Sequence, residues 1–472
     1  MLPACRKECI PFPIPKFNLN ESDIDGFMDE LKTYHEQFRD CFSRSEPWEN
    51  LFRYLSGQFS GLERKSIEPM AIHVDGGDVR SMQRFISDAV WDNDKILKRH
   101  HEQVAEDMGD QDAVLIFDES GFVKKGDDSA GVSRQYCGSI GKVENSQVGV
   151  FAAYASRHGY TLIDDRLFIP EKWFEDSHKE RREKCRFPED LSFKTKPQLA
   201  AEMFRKIRED QILPFKYVAA DSVYTNSEDF LKAVENIPGV VYFLAIPSET
   251  LFWFHGPVVT EKQFKYRGVV RSRKVVPETE RGSVRVDEFA KGLNDYFWYR
   301  RTVSEGTKGP IVYEFTKRRV TLCKNGLPDR NVWLVIRRTS GKNPEYSFFI
   351  SNAPRSTQLN IFVWLSGIRW AIEQCFEETK TELGMDHYEV RKYGGWHHHI
   401  LTSMLAHFFL WHLKIRLGEK TPSITLSQLR MIIKIVLPMR NFDAQQILDL
   451  VMWIQLKNHR AYLSHRKKLK SG

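Results

Sequence analysis

Two short apolar runs, about a hundred residues apart, constrain this chain more than any other feature. Val114-Leu115-Ile116-Phe117 and Tyr217-Val218-Ala219-Ala220 are stretches of strand formers, and each stops on an aspartate, Asp118 and Asp221. Runs this short and this apolar suit strands buried on both faces, which need helices to cover them. Helical patterns do lie between and after them, over Lys196 to Arg208 and Asn226 to Glu235, so the fold class is α/β. A strand that ends in a carboxylate opens that carboxylate onto the edge of the sheet.

A third acid comes from far downstream. Residues 365 to 387 read as one amphipathic helix with Leu365, Ile368, Ile372, Phe376 and Leu383 at helical spacing. Arg369, Glu373 and Lys380 fall on a second stripe, roughly 70° around the axis. Alone, Arg369 and Glu373 are an ordinary surface ion pair worth a few tenths of a kcal/mol. Together with the two aspartates, Glu373 completes the oxygen donor set that hard Mg²⁺ ions need, with Mn²⁺ as a substitute. Glu377 is the best alternative third ligand. Glu119 would face away from Asp118 on a continuing strand and is read as a non-ligand.

Longer words surround these acids: Asp118-Glu119-Ser120-Gly121-Phe122-Val123-Lys124-Lys125-Gly126, Ser133-Arg134-Gln135-Tyr136-Cys137-Gly138 and Gly394-Gly395-Trp396-His397-His398-His399. With them the chain resembles the DDE insertion-sequence transposases of the Y-x2-R-x3-E-x6-K branch, the insertion sequence four-like enzymes, and within these the seven-oh-one group. Arg369, Glu373 and Lys380 fit the R, E and K spacings, and Ser366 stands where the signature has Tyr. The resemblance covers roughly residues 50 to 415. It implies an RNase H-like catalytic core interrupted by a β-rich insertion, with helical N-terminal and C-terminal regions. It also implies cut-and-paste chemistry on double-stranded DNA, at transposon ends and target, by a homodimer or larger assembly. Two Mg²⁺ ions ~4 Å apart would serve hydrolysis first and strand transfer second.

In chain order the expected units are a helix-turn-helix-like DNA-binding region (1–105), the first part of the core (106–246), the β-rich insertion (247–355), the second part of the core (356–415) and a helical region with a basic tail (416–472). With 472 residues, 41% hydrophobic, the chain can bury a sizeable core. Its most apolar stretch, Ile400 to Ile415, is interrupted by His407, His412 and Lys414, and no hydrophobic signal segment opens it, so the expected location is the cytoplasm with no membrane role. Seven irregularly spaced cysteines read as reduced thiols.

The net charge of +7 is modest, and the clustering of basic residues says more. Arg369 and Lys380 would neutralise phosphate beside the metals. Lys124 and Lys125 in a Gly-flanked loop, and Arg134 with Gln135, are expected on the DNA backbone. Arg80, Gln83 and Arg84 open the second helix of a two-helix unit and are of types that read bases or phosphates, although an ordinary helical hairpin fits equally well. Lys262, Lys265, Arg267, Arg271, Arg273 and Lys274 form a basic stretch with Phe264 and Tyr266 interleaved. Trp298 and Trp333 are candidates to stack on an extruded base, Trp298 preferred because cations flank it. His397, His398 and His399 point some 100° apart on a helix and cannot share one ion. A nuclease or resolvase of the same fold, and a non-catalytic DNA-binding derivative, are the competing functions.

Overall fold

A computed structural model describes residues 16–470, except 268, 281, 307 and 308. Most of the Pro-rich opening, with Cys5 and Cys9, lies outside the described residues. The strands are β1 (Val114–Val123), β2 (Ser133–Cys137), β3 (Lys142–Ala155), β4 (Tyr160–Phe168), β5 (Tyr217–Ala220), β6 (Val241–Ile246), β7 (Leu251–Trp253), β8 (Thr260–Tyr266), β9 (Val269–Val275), β10 (Val284–Arg285), β11 (Tyr299–Gly306), β12 (Gly309–Lys324), β13 (Leu327–Arg338) and β14 (Tyr346–Ser351). Among the described residues twelve of them form one mixed sheet, in the order β10-β7-β12-β13-β14-β6-β5-β1-β3-β2, with β4 paired to β3 and β11 to β12. The β-rich character expected of residues 247–355 is present. All of its strands except β8 and β9 extend the core sheet, because β14 pairs antiparallel with β6 through Phe348 and Ile246.

β1 does not stop at Asp118. It runs on to Val123 because β3 accompanies it residue by residue, from Val114 opposite Ala155 to Val123 opposite Ser146. Its parallel pairing with β5 does end there, at Phe117 beside Ala220. The sheet therefore opens beside Asp118 on the β5 side only.

Five helices precede the sheet: α1 (Glu21–Glu36), α2 (Ser45–Phe59), α3 (Ile67–His73), α4 (Val79–Ser87) and α5 (Asn93–Met108). The expected pair of short helices is α3 and α4, and Asp78 caps α4 by accepting the Ser81 amide at 2.8 Å. Between β4 and β5 lie α6 (Lys179–Cys185) and α7 (Lys196–Asp210), and between β5 and β6 lie α8 (Ser222–Thr225) and α9 (Glu228–Glu235). After α10 (Val286–Gly292) the remaining helices are α11 (Leu359–Ile368), α12 (Ala371–Leu383), α13 (Tyr393–Leu417), α14 (Leu426–Ile433) and α15 (Ala444–Lys470).

Both faces of the central strands are covered, as their composition requires. On one face Phe117 meets Phe204 of α7 and Phe230 of α9, with ring centroids 6.4 and 5.5 Å away. On the other, Phe151 of β3 meets Phe376 of α12 at 5.1 Å and Trp396 of α13 at 6.3 Å. α13 is buried over most of its circumference, including His399 and His407, so it is a core helix rather than a surface one.

The single helix expected over residues 365–387 is two. α11 ends at Ile368, Arg369 and Trp370 form a turn, and α12 begins at Ala371. The Trp370 amide bonds to the Gly367 carbonyl three residues back, at 3.2 Å, which tightens the chain out of the α-helical ladder. α12 stops at Gly384, whose φ of +71° is the left-handed conformation that glycine enters without strain.

Candidate active site

Asp118 and Asp221 are brought together by register. Phe117 pairs with Ala220 in parallel strands, so the next residue on each chain is the aspartate. Asp221 leaves the strand to cap α8, accepting the Val223 amide at 2.9 Å, and Asp118 accepts the Glu119 amide at 2.8 Å. Burial, and then the charge of Asp221, push the Asp118 carboxyl up to about 7. Asp221 is also raised, by burial and by the charge of Glu119. Arg369 acts on both aspartates in the opposite direction.

Alternation along β1 puts Asp118 on the face of Phe122, toward α12 and α13, and Glu119 on the face of Phe117, toward α7. Glu119 is engaged there: Lys196 donates to it at 2.8 Å and the Tyr224 hydroxyl at 3.0 Å. Phe151 is the β3 partner of Asp118, and Phe376 packs on Phe151. Glu373 lies three residues before Phe376 on α12, the helix that packs on the face Asp118 presents.

Arg369, in the turn between the helices, reaches Glu373 at 3.3 Å, and Glu373 remains exposed. Lys380 does not face solvent. Its ammonium donates to the Gly121 carbonyl at 3.0 Å and lies 4.9 Å over the Phe122 ring, and burial lowers its pKa. Glu377 is exposed and accepts from Gln374 at 2.9 Å. Ser366 is buried and donates to Val363 within its own helix at 2.8 Å, so its hydroxyl is engaged inside α11.

Two residues near this site escaped the sequence. Arg337 of β13 is depressed by burial first and then by the charge of Arg369, while Glu373 opposes that depression, which places it beside the pair. Glu378 accepts from the Tyr160 hydroxyl at 3.1 Å and bonds His407 at 2.9 Å, tying α12 to β4 and α13. For Glu378 a signal existed: a histidine inside the apolar run of α13 needs a partner.

Among the described residues no group of three or more His, Cys, Asp or Glu is gathered closely enough to hold a metal ion. The pair Asp118 and Asp221 nevertheless fits a hard divalent cation. They are oxygen donors, both raised by burial and Asp118 also by the charge of Asp221, and a cation would relieve that repulsion.

The residues expected on DNA are scattered over several elements. Lys124 donates to the Tyr388 carbonyl at 3.1 Å and sits 3.2 Å from that ring's centroid, and burial lowers it to about 7. Lys125 beside it is exposed. Arg134 is exposed, whereas the Gln135 amide is engaged by the Ser146 carbonyl at 2.9 Å. Arg80, Gln83 and Arg84 are exposed on α4 and border a cleft shared with Glu389, Arg391 and Lys392. Lys265, Arg267, Arg271, Arg273 and Lys274 are exposed on β8, β9 and their turn. Trp298 is 8% exposed, with Arg338 4.2 Å over its ring and Tyr346 against it. Trp333 is only partly buried, and Lys317 lies 4.4 Å over it. The three histidines have separate partners, Asp165, the Ile86 carbonyl and the Tyr54 hydroxyl.

Two adjoining carboxylates at the mouth of a mixed sheet, with an arginine in the turn before a helix that bears a third acid, suit metal-dependent phosphodiester cleavage. More narrowly, the chain belongs to the DDE superfamily endonucleases, a family that matches residues 37–310. That span contains Asp118 and Asp221 and stops before Glu373. The chain is similar, at 25% identity over 372 residues, to a probable transposase for insertion sequence element IS701 from Microchaete diplosiphon; the match covers 78% of this chain and 82% of that one. The expected membership among DDE insertion-sequence transposases of that group is borne out. A solved synaptic complex of piggyBac transposase with hairpin DNA matches with a TM-score of 0.37 and 9% identity, over 88% of this chain and 70% of that one.

Proposed function

We propose that this DDE endonuclease is the transposase of an insertion sequence. It binds the terminal inverted repeats, hydrolyses a phosphodiester at each end and joins the freed 3′ ends to target DNA. The observation that carries this reading is the register that sets Asp118 beside Asp221, on the side where β5 ends and α12 crosses. The order β4-β3-β1-β5-β6, with β4, β5 and β6 running parallel to β1 and β3 antiparallel to it, supports an RNase H-like core.

Asp118, Asp221 and Glu373 would hold Mg²⁺, as two ions, which when bound supplies Lewis acidity and acidifies a coordinated water. Asp118 and Asp221 form the floor of the site, fixed through the Glu119 and Val223 amides. Glu373 is oriented by Arg369. On approach of DNA, Arg369 turns its planar fork to a phosphate and releases Glu373 toward the aspartates. Arg337 contributes further positive charge from behind. The same groups serve strand transfer, since a DNA hydroxyl replaces water as the nucleophile.

The acting unit is a homodimer or larger. α15 leaves Leu448, Val451, Met452, Trp453 and Leu456 exposed along one helix, an apolar surface that a second copy would cover. Its DNA substrate places the work in the cytoplasm, at the nucleoid.

The test is cleavage of a duplex carrying the element's end. Asp118→Asn, Asp221→Asn and Glu373→Gln each keep side-chain volume and lose ligand charge, and each is expected to abolish Mg²⁺-dependent cutting with end binding retained. Normal cutting by Glu373→Gln, with loss in Glu377→Gln, would move the third ligand to Glu377.

A further inference from the structure

The hairpin of β8 and β9 is set apart from the rest of the fold. Its strands pair only with each other, as a second sheet. Every described residue from Thr260 to Lys274 is exposed. Register fixes which side chains share a face. Lys262 lies opposite Arg273, Phe264 opposite Arg271 and Tyr266 opposite Val269; Glu261 lies opposite Lys274 and Lys265 opposite Val270. Cross-strand partners share a face and neighbours along a strand alternate. One face thus gathers Lys262, Arg271 and Arg273 with Phe264 and Tyr266, and no acid. The other carries Glu261, Lys265 and Lys274. On the first face Arg273 lies 5.6 Å from the Phe264 centroid and Arg271 5.5 Å from that of Tyr266.

A two-stranded hairpin with neither face buried is marginally stable in water, and burying unpaired guanidinium groups against protein costs several kcal/mol per ion. A partner for this arm must therefore be anionic. Residues 260–275 contain six Lys or Arg and one Glu, a net +5 within a chain whose total is +7. Seven residues per strand give an arm roughly 24 Å long at ~3.4 Å per residue. A two-stranded ribbon is of a size that the major groove of B-DNA, about 12 Å wide, admits. Arg and Lys are the side chains whose donors match the O6 and N7 acceptors of guanine there.

We propose that this ribbon enters the major groove of double-stranded DNA with Lys262, Arg271 and Arg273 toward the base edges. It then supplies sequence selectivity as well as charge. Lys265 and Lys274, on the outward face, serve phosphates alone. The proposal rests on the transposase reading, which assigns an end sequence to be recognised.

The experiment uses full-length protein in EDTA and fluorescence anisotropy. One probe is a 40-base-pair duplex from the border of the coding region with its terminal repeat, and the other is a shuffled duplex of the same composition. The triple variant Lys262→Gln, Arg271→Gln, Arg273→Gln should reduce the ratio of the two affinities by about tenfold or more, since one good base contact is worth ~1–3 kcal/mol of discrimination. The double variant Lys265→Gln, Lys274→Gln should weaken both duplexes by one common factor and leave the ratio unchanged. Thermal melting should not move in either, because the ribbon lies outside the core, and Arg271→Gln alone serves if the triple variant melts early. A triple variant that loses affinity equally on both duplexes, or loses none, overturns the proposal while the transposase reading stands. Wild-type protein that binds both duplexes equally overturns end recognition itself, and the ribbon's role with it.

Discussion

Asp118→Asn should stabilise the metal-free protein, by an amount that grows with pH. A carboxyl with an ordinary value of 3.8 is held at about 7 in the fold. The folded state therefore binds a proton that the unfolded state releases, and stability falls as pH rises between these two values. The sign is definite: the contribution is fully present below 3.8, is lost through the window, and is flat above about 7. At 1.36 kcal/mol per pH unit the whole window amounts to roughly 4 kcal/mol, and the part between pH 5 and pH 7 to about 3 kcal/mol. Asparagine has no such window, so the variant's advantage over wild type should widen by that smaller amount between pH 5 and pH 7 and then stay constant. Urea unfolding of both proteins in EDTA at half-unit pH steps measures it. Adding Mg²⁺ at pH 8 should raise the wild-type midpoint and leave that of the variant nearly in place. Parallel pH profiles for the two proteins would refute the argument that Asp118 is burdened by burial and by Asp221.

Three further outcomes are expected. Lys380→Met should lower stability by ~1–3 kcal/mol in denaturant unfolding, because the Gly121 carbonyl loses its buried donor; lost cutting with unchanged stability would instead mark a phosphate contact. Glu378→Ala should cost a similar ~1–3 kcal/mol by leaving His407 and Tyr160 without their partner, read as an earlier thermal midpoint. Trp298→Ala should destabilise by about 3–5 kcal/mol as a core truncation, and a well-folded variant that nicks but stalls at the second strand would return Trp298 to the chemistry.

The strands that carry Asp118 and Asp221 were legible because a strand buried on both faces has an unmistakable composition. The helix that carries Glu373 was legible through helical spacing, and the role given to Glu373 came from the resemblance. The length of β1 was not, since Ser120 to Val123 look like a loop until β3 is beside them, and strand length is set by the partner. Nor was the break at Arg369 and Trp370: no proline marks it, and the tight turn is settled by what α11 and α12 pack against. The burial of Trp298 was hidden for the same reason. Its cation-rich neighbourhood suggested an accessible platform, yet Arg338 arrives from β13, forty residues on, to close over the ring. Arg337 was out of reach altogether, because only the sheet order carries β13 toward the acidic helix.

The pairing of β14 with β6 bears on how this protein can be cut down. A fragment ending at Ile246 would leave Leu244, Ala245 and Ile246 without the strand that now bonds them. That outer row would be an apolar edge with bare amides and carbonyls, a template for joining other chains. A truncated core of this kind is expected to aggregate, whereas removing residues 258–276, the solvent-surrounded arm, should leave a soluble, cooperatively melting protein. The span from β10 to β14 is thus a structural wall of the catalytic sheet, and engineering that shortens this protein has to leave it in place.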